Sequence, residues 1–249
     1  MATNLISDLA VALDPALMMR RLGMEPDDWQ ASLLRSDAKR MLLLCSRQSG
    51  KSTTAGVMAL SQALYKAGSL ALLLSPSLRQ SQELFKVVAG FFQALGRPIP
   101  AAQESALRLE LVNGSRIISL PGREVSIRGF SGVDLLVIDE AARVADDLYY
   151  SVRPMLAVSG GRLVGLSTPF GRRGWFYREF TEGDGWERVR VTAVACPRIS
   201  AEFLEQERKS MPEMWFNQEY LCEFVEITGQ LFSYEHVMAA LSSEVRPLF

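Results

Sequence analysis

The chain has 249 residues, 48% of them hydrophobic, with a formal net charge of −1 at pH 7. That length suits one large α/β domain with at most a small appendage, no run approaches the eighteen apolar residues of a membrane span, and the balanced charge excludes a globally basic nucleic-acid binder, leaving any such contact to local arginines or to an assembly. Three widely spaced cysteines, Cys45, Cys196 and Cys222, fit a reducing compartment rather than a disulfide framework or a zinc site, and the single histidine, His236, gives no basis for a metal cluster or a Ser-His-Asp triad.

In chain order, residues 1–14 carry Asp8 and Asp14 but no Lys or Arg, so no signal peptide is expected. Leu5, Leu9, Leu13 and Leu17 recur at helical spacing, which predicts an amphipathic helix over residues 4–22, broken near Asp14-Pro15. Pro26-Asp27-Asp28 reads as a helix start that continues to Arg35. Gln30 sits on that helix about twenty residues before the next motif. Its amide could pair with the donor and acceptor edges of adenine, or it could be an ordinary solvent-facing glutamine; spacing alone favours the latter.

Met41-Leu42-Leu43-Leu44 reads as a strand, Cys45 to Thr53 as a tight loop, and Thr54 to Tyr65 as a helix. The loop ends in Gly50-Lys51-Ser52, the last part of the phosphate-binding pattern G-x-x-x-x-G-K-[ST]. Such a loop turns backbone N–H groups toward phosphate oxygens at a helix N-terminus. Lys51 would reach the β- and γ-phosphates and Ser52 would place its hydroxyl on Mg²⁺. The pattern's first glycine falls at position 45, where this chain has Cys45, so the motif is imperfect.

Residues 69–75 form a buried strand and residues 76–95 a long helix that Gly96-Arg97-Pro98 stops. Leu107 to Leu111 alternates, Asn113-Gly114 follows, and Arg116 to Leu120 completes an antiparallel hairpin with a type I′ turn. Val125 to Arg128 reads as a further short strand. Asp134 to Asp139 is a buried strand that delivers Asp139 and Glu140 at its C-terminal end, beside the phosphate loop of a parallel sheet. Asp139 would hold Mg²⁺ through water, and Glu140 would orient and deprotonate the attacking water. Each signal alone is moderate; in this order and in strand context they reinforce each other.

Residues 146–156 read as helical, and Gly160-Gly161 as a turn. Arg162 to Ser167 is another buried strand, ending in Ser167-Thr168-Pro169; those hydroxyls could sense a γ-phosphate next to Asp139 or simply form a turn. Arg172-Arg173 is a basic loop that could touch phosphates or be solvated. Trp175 to Phe180 starts a helix and residues 186–192 alternate as a strand. Ser200 caps a further helix, and Glu213 to Phe224 reads as another whose aromatics form a small subdomain core rather than a ligand box.

With these residues in place, the chain resembles the ATPase domain of the phage large terminase, the DNA-packaging motor. Residues 46–53 look like that family's variant phosphate loop, which tolerates loss of the first glycine. Trp29-Gln30 is similar to its adenine-recognition motif, Leu136 to Ala142 to its acidic strand with catalytic glutamate, Ser167-Thr168-Pro169 to its coupling motif, and Phe203 to Phe224 to its lid. The resemblance implies an α/β P-loop NTPase fold of the ASCE type, with a mainly parallel sheet, helices on both faces and a small C-terminal helical lid. It divides the chain into an ATPase domain over 1–197, a lid over 198–230 and a tail over 231–249.

The same resemblance implies a Mg²⁺-dependent ATPase that binds ATP through Gln30, Ser46, Arg47, Gln48, Ser49, Gly50, Lys51, Ser52 and Thr53. Ser52 and Asp139 would take the metal, Glu140 the water, and Ser167 and Thr168 the coupling. Arg47 in its own subunit or Arg128 from a neighbour would supply an arginine to the γ-phosphate, with Arg143 and Arg123 as substitutes. Double-stranded DNA, a portal protein and a small terminase subunit would be its partners, in a homo-oligomeric ring at the procapsid in the host cytoplasm, or as a monomer in isolation. The acidic two-metal nuclease cluster of large terminases is not found, so no nuclease activity is expected. A helicase-like ATPase and a non-hydrolysing nucleotide switch are the competing readings. The first would need a second RecA-like domain, and the second would not need Glu140.

Overall fold

Runs that are apolar on both strand faces must be covered on both faces, so they dictate the middle of the molecule. The computed structural model describes residues 5–122 and 129–225. Its strands are β1 (Arg40–Cys45), β2 (Leu70–Ser75), β3 (Ala101–Glu104), β4 (Arg108–Leu111), β5 (Arg116–Pro121), β6 (Leu135–Asp139), β7 (Arg162–Ser167) and β8 (Glu187–Val191). Its helices are α1 (Leu5–Leu13), α2 (Ala16–Arg21), α3 (Asp28–Arg35), α4 (Lys51–Tyr65), α5 (Leu78–Ala94), α6 (Asp146–Val152), α7 (Gly174–Thr181), α8 (Ala201–Ser210) and α9 (Glu213–Glu219).

Among the described residues, these strands form one sheet in the order β3-β4-β5-β2-β6-β7-β1-β8. The five central runs pair in parallel, and β8 joins β1 in parallel. The pairs β3/β4 and β4/β5 are antiparallel. Side chains alternate across the sheet. Met41, Leu43 and Cys45 face a core built with α1 to α5, while Leu42 and Leu44 face a second core built with α6 and α7. The second core contains Tyr149 stacked on Trp175, ring centroids 4.0 Å apart, a pair worth about 0.5–1.5 kcal/mol beyond its burial. The expected α/β fold with helices on both faces is therefore the observed one.

Local details differ from expectation. The hairpin turn is not type I′. Asn113 does not take the positive φ that such a turn requires, whereas Gly114 does, at 82°. Gly114 N–H donates to Leu111 O at 2.9 Å and Leu111 N–H to Ser115 O at 2.9 Å, so Val112-Asn113-Gly114 is a three-residue loop with a glycine bulge. β3 has no counterpart among the expected strands, because Ala101 to Glu104 is largely exposed at the sheet edge and carries no alternating pattern. The helix expected over Glu213 to Phe224 stops at Glu219. Cys222 turns the chain away at φ 58°, and Phe224 packs on Phe176, Tyr177 and Phe180 of α7 rather than within the expected subdomain core. Trp215 is also outside such a core, at 49% exposed, whereas Phe216 contacts Tyr220, as does Phe203. The expected strand at Val125 to Arg128, the residues Arg123, Arg128 and His236, and the tail over 231–249 lie outside the described residues. Among the described residues, no helix is long and apolar enough to cross a membrane.

Candidate functional site

The loop between β1 and α4 is built as the motif requires. β1 runs on until Cys45, paired with Val191 of β8, and Ser46 N–H donates to Val191 O at 2.8 Å. Position 45 is thus still strand, with no left-handed backbone to demand glycine, which is why cysteine is accepted there. Burial pushes its thiol up to about 12, making it a packing group and not a nucleophile. The true glycine requirement is at Gly50, which caps α4 at φ 96°. Ser49 Oγ and Lys51 Nζ both donate to Ser46 O, at 2.9 and 2.8 Å. The buried Ser46 Oγ has no partner among the described residues. Ser52 and Thr53 stand half-buried in the first turn of α4, and Arg47 and Gln48 project outward.

The acids arrive from β6. The sheet places β7 between β6 and β1, so Asp139 pairs with Leu166 and Ser167 with Leu44 at one C-terminal edge. Lys51, Asp139, Ser167 and Thr168 therefore converge, and all four are buried. Ser167 Oγ has no partner among the described residues. Glu140 adopts φ 49°, a strained conformation of the kind that clusters at functional sites. Its N–H donates to Asp139 Oδ1 at 3.0 Å, and its carboxylate accepts from Arg143 Nε at 3.3 Å.

Burial first, and the neighbouring Glu140 charge second, raise the Asp139 carboxyl to about 6. A divalent cation would relieve both costs. Asp139 and Ser52 offer hard oxygen donors, the kind Mg²⁺ takes. Among the described residues, no group of three or more His, Cys, Asp or Glu could hold a metal alone, so a cation here would draw further oxygens from a phosphate substrate. The residues present fit that role.

The raised carboxyl has a stability consequence. The folded state holds the proton more tightly than the unfolded chain, so stability falls as pH rises from about 4 through about 6. Asp139→Asn, without nucleotide or metal, is expected to be more stable than wild type at pH 7.5 by about 3 kcal/mol, with the difference vanishing near pH 3. Urea denaturation at both pH values checks it. A variant less stable than wild type at pH 7.5 would show that the Asp139 charge is well accommodated without a cation.

Gln30 is not solvent-facing: it is 2% exposed. Its Oε1 accepts from Asp27 N–H at 2.9 Å and its Nε2 donates to Thr54 Oγ1 at 2.9 Å. The first contact is half of a capping box that starts α3, and the second ties α3 to α4. Each amide end keeps one further hydrogen-bonding valence. Gln30 lines a cavity of about 830 Å³ with Trp29, Gly50, Thr53, Pro197 and Arg198.

Two residues at the site carry no signal in the sequence. Arg198 clamps Asp27 and the loop, and Glu219 of α9 forms an ion pair with Arg47 Nε. Their partners lie 149 to 172 positions away in the chain, and neither residue belongs to a local motif. Arg172 is not free to face solvent alone, since its Nε donates to Phe224 O at 3.2 Å. Arg143 and Arg173 both lie over the Phe170 ring, at 4.3 and 5.0 Å from its centroid.

Comparison with known proteins follows the same lines. Residues 42–237 match the family model described as terminase large subunit, T4likevirus-type, N-terminal. The chain is 27% identical to the large terminase subunit of Thermus virus P23-45 across 90% of this chain and 54% of that protein. It spans about half the length of the curated relatives it matches. The solved large terminase ATPase domain of Thermus phage P74-26 superposes with a TM-score of 0.74 at 26% identity, covering 83% of this chain and 97% of that one. The large terminase of a thermophilic bacteriophage, solved in complex with ADP, shares the fold at a TM-score of 0.62 and 13% identity, over 86% of this chain and 53% of that one.

Proposed function

The chain belongs to the terminase large subunit family, T4likevirus-type, in its N-terminal region, and from that membership we propose that it is an ATP-hydrolysing motor domain that powers translocation of double-stranded viral DNA into a procapsid. The observation that carries the reading is the strand order β6-β7-β1. It sets Asp139-Glu140 and Lys51-Ser52 at one end of the sheet, one strand apart, where one bound phosphate could meet both a cation and a water-activating carboxylate. The ADP complex of the thermophilic bacteriophage terminase supports nucleotide binding as such.

In this proposal Lys51 leaves Ser46 O and neutralises the β- and γ-phosphates. The loop amides from Arg47 to Ser52, with Ser46, Ser49 and Thr53, cradle the phosphate chain. Ser52 and Asp139 would hold Mg²⁺, which would supply positive charge against that of the phosphates. Glu140 accepts the proton of the attacking water. Ser167 and Thr168, between the two half-sites, report γ-phosphate loss to the rest of the sheet. Gln30 directs its spare donor and acceptor at adenine. Arg47 in cis or Arg128 in trans completes charge neutralisation. Residues 198–230 act as a lid, supported by the α9 contact to Arg47. A ring of such chains, with a portal protein and a small subunit in the host cytoplasm, is the assembly the reading calls for.

Phosphate release measured with and without double-stranded DNA is the test. Binding of ATP without turnover at any protein concentration would favour a nucleotide switch, and strand separation would favour a helicase. The arginine is assigned by mixing. Arg128→Ala and Glu140→Ala chains, each inactive alone, are expected to regain turnover together if Arg128 serves a neighbour. No recovery, with both chains folded, moves the role to Arg47.

A further inference from the structure

Arg198 makes more contacts to the nucleotide side of the molecule than a loop arginine needs for folding. Nη1 and Nη2 grip Asp27 as a two-pronged pair, at 2.9 Å to Oδ1 and 2.7 Å to Oδ2. Nη2 also donates to Ser49 O at 2.8 Å, inside the phosphate loop, and lies 3.3 Å from Cys196 Sγ. These bonds use the edge of the guanidinium that carries Nη1 and Nη2. They hold the guanidinium in place, and about half of the side chain, 47%, remains exposed. The Asp27 carboxylate it grips is 9% exposed, so the clamp is anchored on the buried side.

The position of the guanidinium is informative. A side chain built at Gly50 would meet Gln30 Nε2 at 2.9 Å and Arg198 Nη2 at 3.4 Å. The two residues therefore stand side by side over the bare Cα of the loop glycine. Both line the cavity of about 830 Å³ that opens there, together with Met24, Pro26, Trp29 and Pro197. On the proposed reading, a nucleotide whose phosphates occupy the loop places its base in this cavity beside Gly50. A planar cation held at its wall can lie over the base's π-face, an arrangement arginine favours and lysine does not reproduce.

We infer that Arg198 is a nucleobase-binding residue: its guanidinium face covers the purine while Gln30 meets the purine's edge. Through Asp27, whose N–H holds Gln30 Oε1, the same clamp fixes the orientation in which the glutamine amide is offered. Face and edge recognition are thus set by one linked unit, Arg198-Asp27-Gln30, drawn from both ends of the chain. The inference rests on the proposal that the cavity receives an adenine nucleotide.

The test separates base recognition from loop support. Affinities for ATP, ADP and inorganic tripolyphosphate are measured for wild type, Arg198→Ala and Arg198→Lys by competition against a fluorescent ATP analogue. Both variants are expected to bind ATP and ADP about tenfold or more weakly and tripolyphosphate within about twofold of wild type. Retained tripolyphosphate binding also shows that the variants are folded. Equal losses for ATP and tripolyphosphate would reduce Arg198 to a prop for the loop and overturn the inference, as would unchanged ATP affinity in Arg198→Ala. Failure of wild type to bind ATP at all would overturn the nucleotide reading itself, and this inference with it.

Discussion

Replacing Glu140 by Gln is expected to leave ATP affinity within about twofold of wild type while slowing hydrolysis by roughly 10²–10⁴-fold, the range ascribed to a positioned general base. The amide keeps the size of the carboxylate, so the strained backbone at φ 49° and the neighbouring loop need not move. What disappears is the proton acceptor and one negative charge. That charge is the second cause of the raised Asp139 carboxyl, so its loss makes Asp139 easier to ionise and does not weaken a cation held there. Binding and turnover should therefore separate cleanly. Equilibrium binding of a fluorescent ATP analogue and single-turnover phosphate release check the two halves. Hydrolysis within about threefold of wild type would place the water-activating group elsewhere.

Lys51→Ala is expected to act on the other half, weakening ATP and ADP binding by on the order of 10²–10³-fold, the cost of removing a buried charge partner. The loop should survive the change. Lys51 Nζ and Ser49 Oγ share Ser46 O as acceptor, so the carbonyl keeps a donor when the lysine is gone. A thermal midpoint close to wild type together with lost binding is the expected pair of results. Retained tight binding would mean that the backbone amides alone hold the phosphates.

The parts of this site that are legible in sequence are those written in short, periodic stretches. Met41 to Leu44, Leu70 to Leu74 and Leu135 to Ile138 suit strands covered on both faces, and in a parallel sheet the residues at their C-terminal ends share one edge. Gly50-Lys51-Ser52 and Asp139-Glu140 follow from that. Gln30 is ambiguous because a helical glutamine looks the same whether buried or exposed. Its burial emerges only in the fold, where its amide meets Asp27 and Thr54. Arg198 and Glu219 carry no local signal at all, since their partners are brought near by the sheet. The hairpin is legible but its turn is not, because Asn113-Gly114 suits both a two-residue turn and the second half of a three-residue one. α9 is shorter than its aromatics suggest, because nothing local shows that Phe224 is drawn away to α7.

The placement of β1 has a kinetic consequence. Its two neighbours, β7 and β8, lie more than a hundred residues further along, so the strand that launches the phosphate loop waits unpaired until most of the chain exists. Pairings of such separation close slowly. During synthesis the apolar residues 41–45 must be shielded until residues 162–191 have left the ribosome, and nucleotide can be gripped only after that. On the proposed function, acquisition of ATP affinity by a growing or refolding chain is therefore expected to be a late event. It should mark completion of the sheet more faithfully than the appearance of helix does, and ligand present at that moment would draw the final closure forward by mass action.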